Sequence, residues 1–159
     1  LDILRYFEQY GAALVTSQYV FNWGGGLTNE GVWGLVEPFS ELGHPPRNRQ
    51  EALWDIANWD LKRDSWLSMF STSSRISAAQ HFVKGWKCNG AVYHFNRGEK
   101  GGIIGVLDAQ LSLKRAGIPT MMYEASATDR RDIDMVKVKD AIDAFMESLG
   151  LKTAMASAK

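Results

Sequence analysis

Apolar positions along the chain fall into helical stripes and short continuous runs, separated by glycine, proline and hydroxyl-rich punctuation. Ile3, Leu4 and Phe7 lie on one face of a segment from Asp2 to Tyr10, with Arg5, Glu8 and Gln9 on the other, and Gly11 stops it. Gly11-Ala12-Ala13-Leu14-Val15-Thr16-Ser17 is a short apolar run of the kind that forms a buried strand. From Gln18 to Asn48 the pattern breaks down. Gly24-Gly25-Gly26 cannot sustain a helix, Gly43-His44-Pro45-Pro46 is a loop, and the spacing allows one short helix near Glu30 to Leu35. A long irregular stretch inside a compact domain points to function or an interface.

Periodicity returns at Arg49. Arg49 to Phe70 reads as helix, and one of Ser71-Thr72-Ser73-Ser74 caps the next, which carries Ile76, Ala79, Val83 and Trp86 as its stripe. Gly90 to Phe95 is a strand. A helix opens near Gly102, with Ile104, Leu107 and Leu111 inward and Gln110, Lys114 and Arg115 outward, and Gly117 ends it. Ile118 to Glu124 is a further strand, at whose end Glu124 is expected to be partly buried; Asp129-Arg130-Arg131-Asp132 follows as a charged loop. The last helix places Met135, Val138, Ile142, Phe145 and Leu149 inside, and Gly150 closes it before a small, polar, frayed tail at 152–159. Strands alternating with helices predict an α/β domain over residues 1–151, with a small parallel sheet flanked by helices. Three strands make a thin sheet, and the missing ones are expected in a partner domain or upstream of Leu1.

Composition narrows the function classes. The 159 residues carry 18 basic and 18 acidic side chains, so no electrostatic footprint for nucleic acid or an anionic membrane exists. No apolar run reaches the length of a membrane span, no signal peptide is recognisable, and the single cysteine, Cys88, excludes an internal disulfide and fits a reducing cytoplasm. A start other than Met suggests a fragment or a processed chain. Trp54, Trp59 and Trp66 crowd one stretch, as packing or as the wall of an aromatic-ligand site.

Candidate chemistry concentrates where the Gly90–Phe95 strand runs into its loop, Asn96-Arg97-Gly98-Glu99-Lys100-Gly101-Gly102. Sites in parallel α/β sheets form at this edge, outside the carboxyl ends of the strands. Asn96, Arg97 and Glu99 are placed to meet a ligand, and Lys100 can neutralise an anionic group. Glu124 ends the neighbouring strand. His94, inside its strand, reads more simply as a hydrogen-bonded structural residue, and Cys88 as a buried or half-buried thiol. No zinc-ligand spacing, phosphate loop or Gly-x-Ser-x-Gly elbow occurs.

Val92-Tyr93-His94-Phe95-Asn96-Arg97-Gly98, Ala116-Gly117-Ile118-Pro119-Thr120-Met121-Met122-Tyr123-Glu124, Asp129-Arg130-Arg131-Asp132-Ile133-Asp134 and Ile142 to Leu151 together resemble the C-terminal domain of the 2-hydroxyacyl-CoA dehydratase family. Within that family they look most like the catalytic-type subunits of ATP-dependent benzoyl-CoA reductases. The resemblance covers Gly90 to Leu151 and, more loosely, Gly11 to Ser17 and the helix before Cys88. It implies a larger two-domain subunit, a sibling subunit of the same family in a hetero-oligomer, and low-potential electron chemistry on a CoA thioester in anaerobic aromatic degradation. It also implies a [4Fe–4S] cluster held by cysteines, and ATP used only by a separate electron activator. The family motif carries a cluster cysteine where this chain has Glu99, so no cluster ligand is expected in this chain. On this resemblance Glu99 is the catalytic candidate, and Asn96, Arg97, Lys100 and Glu124 are the substrate-binding ones. Three readings stay open: a subunit of such an enzyme, a partner subunit without a cluster, and an acyl-CoA binding module without redox chemistry.

Overall fold

The structure, a computed structural model, describes residues 2–17, 25–27, 33–35, 40, 42–62, 71–126 and 128–153. Its centre is a parallel pair of strands, β3 (Ala91–Asn96) and β4 (Thr120–Ala125), in register from Ala91 opposite Thr120 to Asn96 opposite Ala125. Helices cover the two faces. Helices α3 (Thr72–Gly85) and α4 (Val106–Arg115) pack with β3, while α1 (Asp2–Glu8) and α5 (Met135–Ser148) pack with β4. The α/β class and the parallel pairing agree with the sequence pattern.

Each face has its own core. Under β4, Tyr10, Met121, Val138, Ile142, Phe145 and Met146 are buried together. On the other face Ala79, Val83, Ala109 and Leu113 form the cluster, with Ala91 and Tyr93 of β3 against it. Alanines at the α3–α4 contact let the two helices approach closely; Ala78 and Ala109 are fully buried. Caps fix the helix starts. Ser71 Oγ accepts from the Ser74 N–H at 3.4 Å, and Asp134 Oδ1 accepts from the N–H groups of Val136 and Lys137 at 3.1 and 3.2 Å.

Several sequence expectations need correction. The run from Gly11 to Ser17 is not a strand: Gly11 turns the chain at φ 71°, Ala12 leans on the α5 core, and the rest is irregular, with Leu14 and Val15 exposed. The short helix expected near Glu30 to Leu35 is replaced over Trp33–Leu35 by a strand, β2, antiparallel to β1 (Gly25–Leu27). Paired backbone suits Gly25, Gly26 and Gly34, which disfavour helix. Helix α2 spans Arg49–Lys62; the remainder of the helix expected to Phe70 lies outside the described residues, as does the tail beyond Thr153.

The helix expected near Gly102 begins at Val106 instead, because Gly105 takes a left-handed conformation (φ 71°) directly before it. Its buried face is Val106, Ala109, Gln110 and Leu113. Ile104, Leu107 and Leu111 therefore face outward, and Gln110 inward, the reverse of the expected orientation. On α3, Ala79 and Val83 are inside as expected, but Trp86 is exposed, and Ser74, Arg75 and Phe82 complete the buried face. Among the described residues no helix is long and apolar enough to cross a membrane.

Candidate functional site

Parallel pairing brings the loop after β3 and the loop after β4 to the same edge. Because α3 and α4 both run back along the sheet, their N-termini meet there too. A Cβ on Gly105 would stand 2.8 Å from Thr72 Cα. The crowding explains why glycine, with its left-handed freedom, is needed at this joint.

Arg97 ties the two loops. Its Nε donates to Glu124 Oε1 at 2.9 Å and its Nη1 to Asp132 Oδ1 at 2.7 Å. Its pKa is raised, chiefly by the hydrogen bond to Glu124 and then by the charge of Asp132. All three side chains keep substantial solvent access, so Glu124 is exposed rather than partly buried as expected. Arg97 is thus committed to two carboxylates and holds the β4 loop in place; it offers no unpaired charge to a ligand.

Glu99 follows Arg97 by two residues, on the side of the loop nearer α4 in sequence. Asn96 Nδ2 donates to its Oε2 in a short contact, and its carboxyl group lies directly over Gly102. Lys100 is exposed beside it and makes no ion pair with another described residue. The structure therefore brings together the five expected site residues, in two subsets: Asn96, Glu99 and Lys100 on one loop, and Arg97 with Glu124 as a clamp.

Arg75 is the residue that sequence reasoning missed. It is buried in the first turn of α3, and its Nη1 donates to the Gly102 carbonyl at 2.9 Å. Burial lowers its pKa, while Tyr93 and Glu99 act in the opposite direction. Burial also raises the Tyr93 hydroxyl to about 12. A signal existed: taken at spacings of three and four, Arg75, Ala78, Ala79 and Phe82 trace an alternative inward face. Arg75, Arg97 and Lys100 balance Glu99, Glu124 and Asp132, so these six side chains carry no net charge. Their chemistry is that of hydrogen-bond acceptors beside the exposed Lys100 ammonium.

His94 behaves as a structural residue. It stacks on Tyr123 with centroids 4.9 Å apart, and its Nε2 lies 3.0 Å from the Ala125 carbonyl, to which it donates. Cys88 lies at the opposite end of β3, half-buried, with its thiol pKa raised by burial. The length of β3, roughly 17 Å, separates that end from the Glu99 loop. A four-iron cluster needs three or four thiolates. One thiol at the wrong end of the strand does not fit that group, and among the described residues no three His, Cys, Asp or Glu side chains gather around a metal position.

Two surface grooves among the described residues lie away from the loop. A groove of about 450 Å³ runs between α3 and α4 beside Ile76, Gln80 and Leu111. A second, of about 570 Å³, lies on α2 against Leu53 and Trp54. Trp54 is exposed there and Trp59 half-buried, while Trp66 lies outside the described residues. Comparison with protein-family models, curated proteins and solved structures finds no match to this chain.

Proposed function

We propose that this chain is the C-terminal domain of a two-domain subunit in a cytoplasmic enzyme of the benzoyl-CoA reductase and 2-hydroxyacyl-CoA dehydratase type, working on a CoA thioester in anaerobic aromatic degradation. In this reading the chain pairs with a sibling subunit of the same family, and an ATP-dependent activator supplies electrons to the complex. The observation that carries the reading is the Asn96–Glu99–Lys100 loop at the carboxyl edge of a parallel strand pair, where the resembled family places its working loop.

The geometry supports a role for each residue. Glu99, oriented by Asn96, is the acceptor for an N–H or a proton at the thioester end of the ligand. Lys100 takes an anionic group of the CoA. Arg97 and Glu124 hold the loop against β4. The single, distant thiol favours the variant in which the [4Fe–4S] cluster belongs to the sibling and this subunit shapes the thioester pocket.

The test is iron and acid-labile sulfide, measured on each chain after anaerobic purification of the native complex. Iron on the sibling and near zero on this chain is the expected result, together with a loss of turnover in Glu99→Gln at an almost unchanged melting temperature. A complex with no CoA-thioester activity would overturn the reading. About four irons per copy of this chain would return the cluster to it.

A further inference from the structure

We propose that Gly102 and Arg75 are positioning residues that seat the Glu99 carboxylate. The inference rests on the reading of this loop as the thioester site and adds two residues that touch no ligand themselves. It starts from space. A Cβ built on Gly102 would stand 2.9 Å from Glu99 Cδ and 3.0 Å from both carboxylate oxygens. Gly102 does not lie in the left-handed region, so its backbone conformation does not demand glycine. What the position supplies is the missing methyl group, and the Glu99 carboxyl group fills that space.

Arg75 fixes the same residue from below. Arg75 is only 7 % exposed, and its guanidinium donates to the Gly102 carbonyl at 2.9 Å. A buried guanidinium is costly unless its donors are used, and here one is spent on a loop carbonyl rather than on a core group. Because Arg75 belongs to the first turn of α3, it locks the loop to a helix whose start is itself capped by Ser71. The charge of Glu99 in turn raises the Arg75 pKa, against the larger lowering by burial. Asn96 completes the seat from β3 by donating to Glu99 Oε2. Glu99 is thus held by a strand residue, a loop residue without a side chain and a helix residue.

Gly102→Ala is a selective probe. The atoms it meets are the end of a flexible side chain, so it displaces the carboxylate without forcing the backbone. In ¹H–¹⁵N spectra of the full chain, the Asn96 side-chain amide signals should move in Gly102→Ala to where they lie in Glu99→Gln, at a melting temperature near that of wild type. Arg75→Met should move them likewise, and Arg75→Lys, which keeps a charged donor, should restore them. With benzoyl-CoA as probe, Gly102→Ala and Glu99→Gln should each weaken binding by about tenfold, the size of one lost charge-assisted hydrogen bond. The double variant should be no weaker than either single one. Unmoved Asn96 signals in folded Gly102→Ala, or losses that multiply in the double variant, would overturn the proposal. Wild type that binds no benzoyl-CoA would instead count against the function of the loop, while the Asn96 signals would still decide the seat.

Discussion

The two ends of the β3–β4 pair are built on opposite principles. At the amino end the chain seals itself. The Ala91 N–H bonds the Pro119 carbonyl at 3.0 Å, the Cys88 N–H bonds the Val83 carbonyl at 2.9 Å, and the Phe145 ring closes on Gly90 so tightly that a Cβ there would come within 2.7 Å. At the carboxyl end, charged side chains from α3, the β3 loop, β4 and the turn beyond it come together, among them Arg75, Arg97, Glu99, Glu124 and Asp132. The amino end is optimised for packing, and a half-buried thiol there is a core residue. The carboxyl end carries hydrogen-bonding groups whose arrangement packing alone does not require. That contrast makes the carboxyl end the candidate site, although two surface grooves lie elsewhere.

Substitutions can break the comparison, and the largest effect belongs to the core common to both ends. Ile142 is fully buried under β4, so Ile142→Ala should cost about 3 kcal/mol, read as a shifted denaturation midpoint. Gly90→Ala should cost about 2 kcal/mol by pressing on the Phe145 ring and the Pro119 carbonyl, and should leave thioester binding unchanged in calorimetric titration. At the other end, Arg97→Ala should lower stability less than either. Its effect should shrink in high salt, because the guanidinium and its carboxylates are exposed.

Alkaline pH sharpens a different contrast. The Tyr10 hydroxyl is pushed up to about 12, first by its 2.6 Å bond to Asp143 and then by burial, and Tyr93 reaches about 12 by burial alone. Both hold their proton more tightly folded than unfolded, where a tyrosine titrates near 10. Their contribution is complete below about pH 10 and falls away as pH rises toward 12. Melting temperatures measured across that window should decline, and Tyr10→Phe should flatten part of the slope while costing about 1 kcal/mol below it.

Much of this architecture is legible in the residues. Strand β3, strand β4 and helix α5 announce themselves because each apolar pattern matches the period of its element, and the loop at Asn96 to Glu99 follows from their order. Helix α4 misleads because two faces satisfy the same spacing. Leu107 and Leu111 look like the core stripe, but close packing of α3 through alanines selects Val106, Ala109, Gln110 and Leu113. Arg75 was hidden for a related reason: a charged residue is read as outward unless its neighbours three and four positions on are weighed with it. Gly11 to Ser17 has strand composition, yet its first residues are drawn onto the α5 core and it finds no strand partner among the described residues. Local pattern records preference, and tertiary competition decides between preferences.

One titration decides whether the carboxyl end of the strand pair receives a CoA thioester, as proposed. Benzoyl-CoA added to ¹⁵N-labelled protein should shift the signals of Asn96 to Gly105 and leave Cys88 to Ala91 unmoved, and Glu99→Gln should weaken the response. A response confined to the amino end, or no response at saturating ligand, would contradict the proposal.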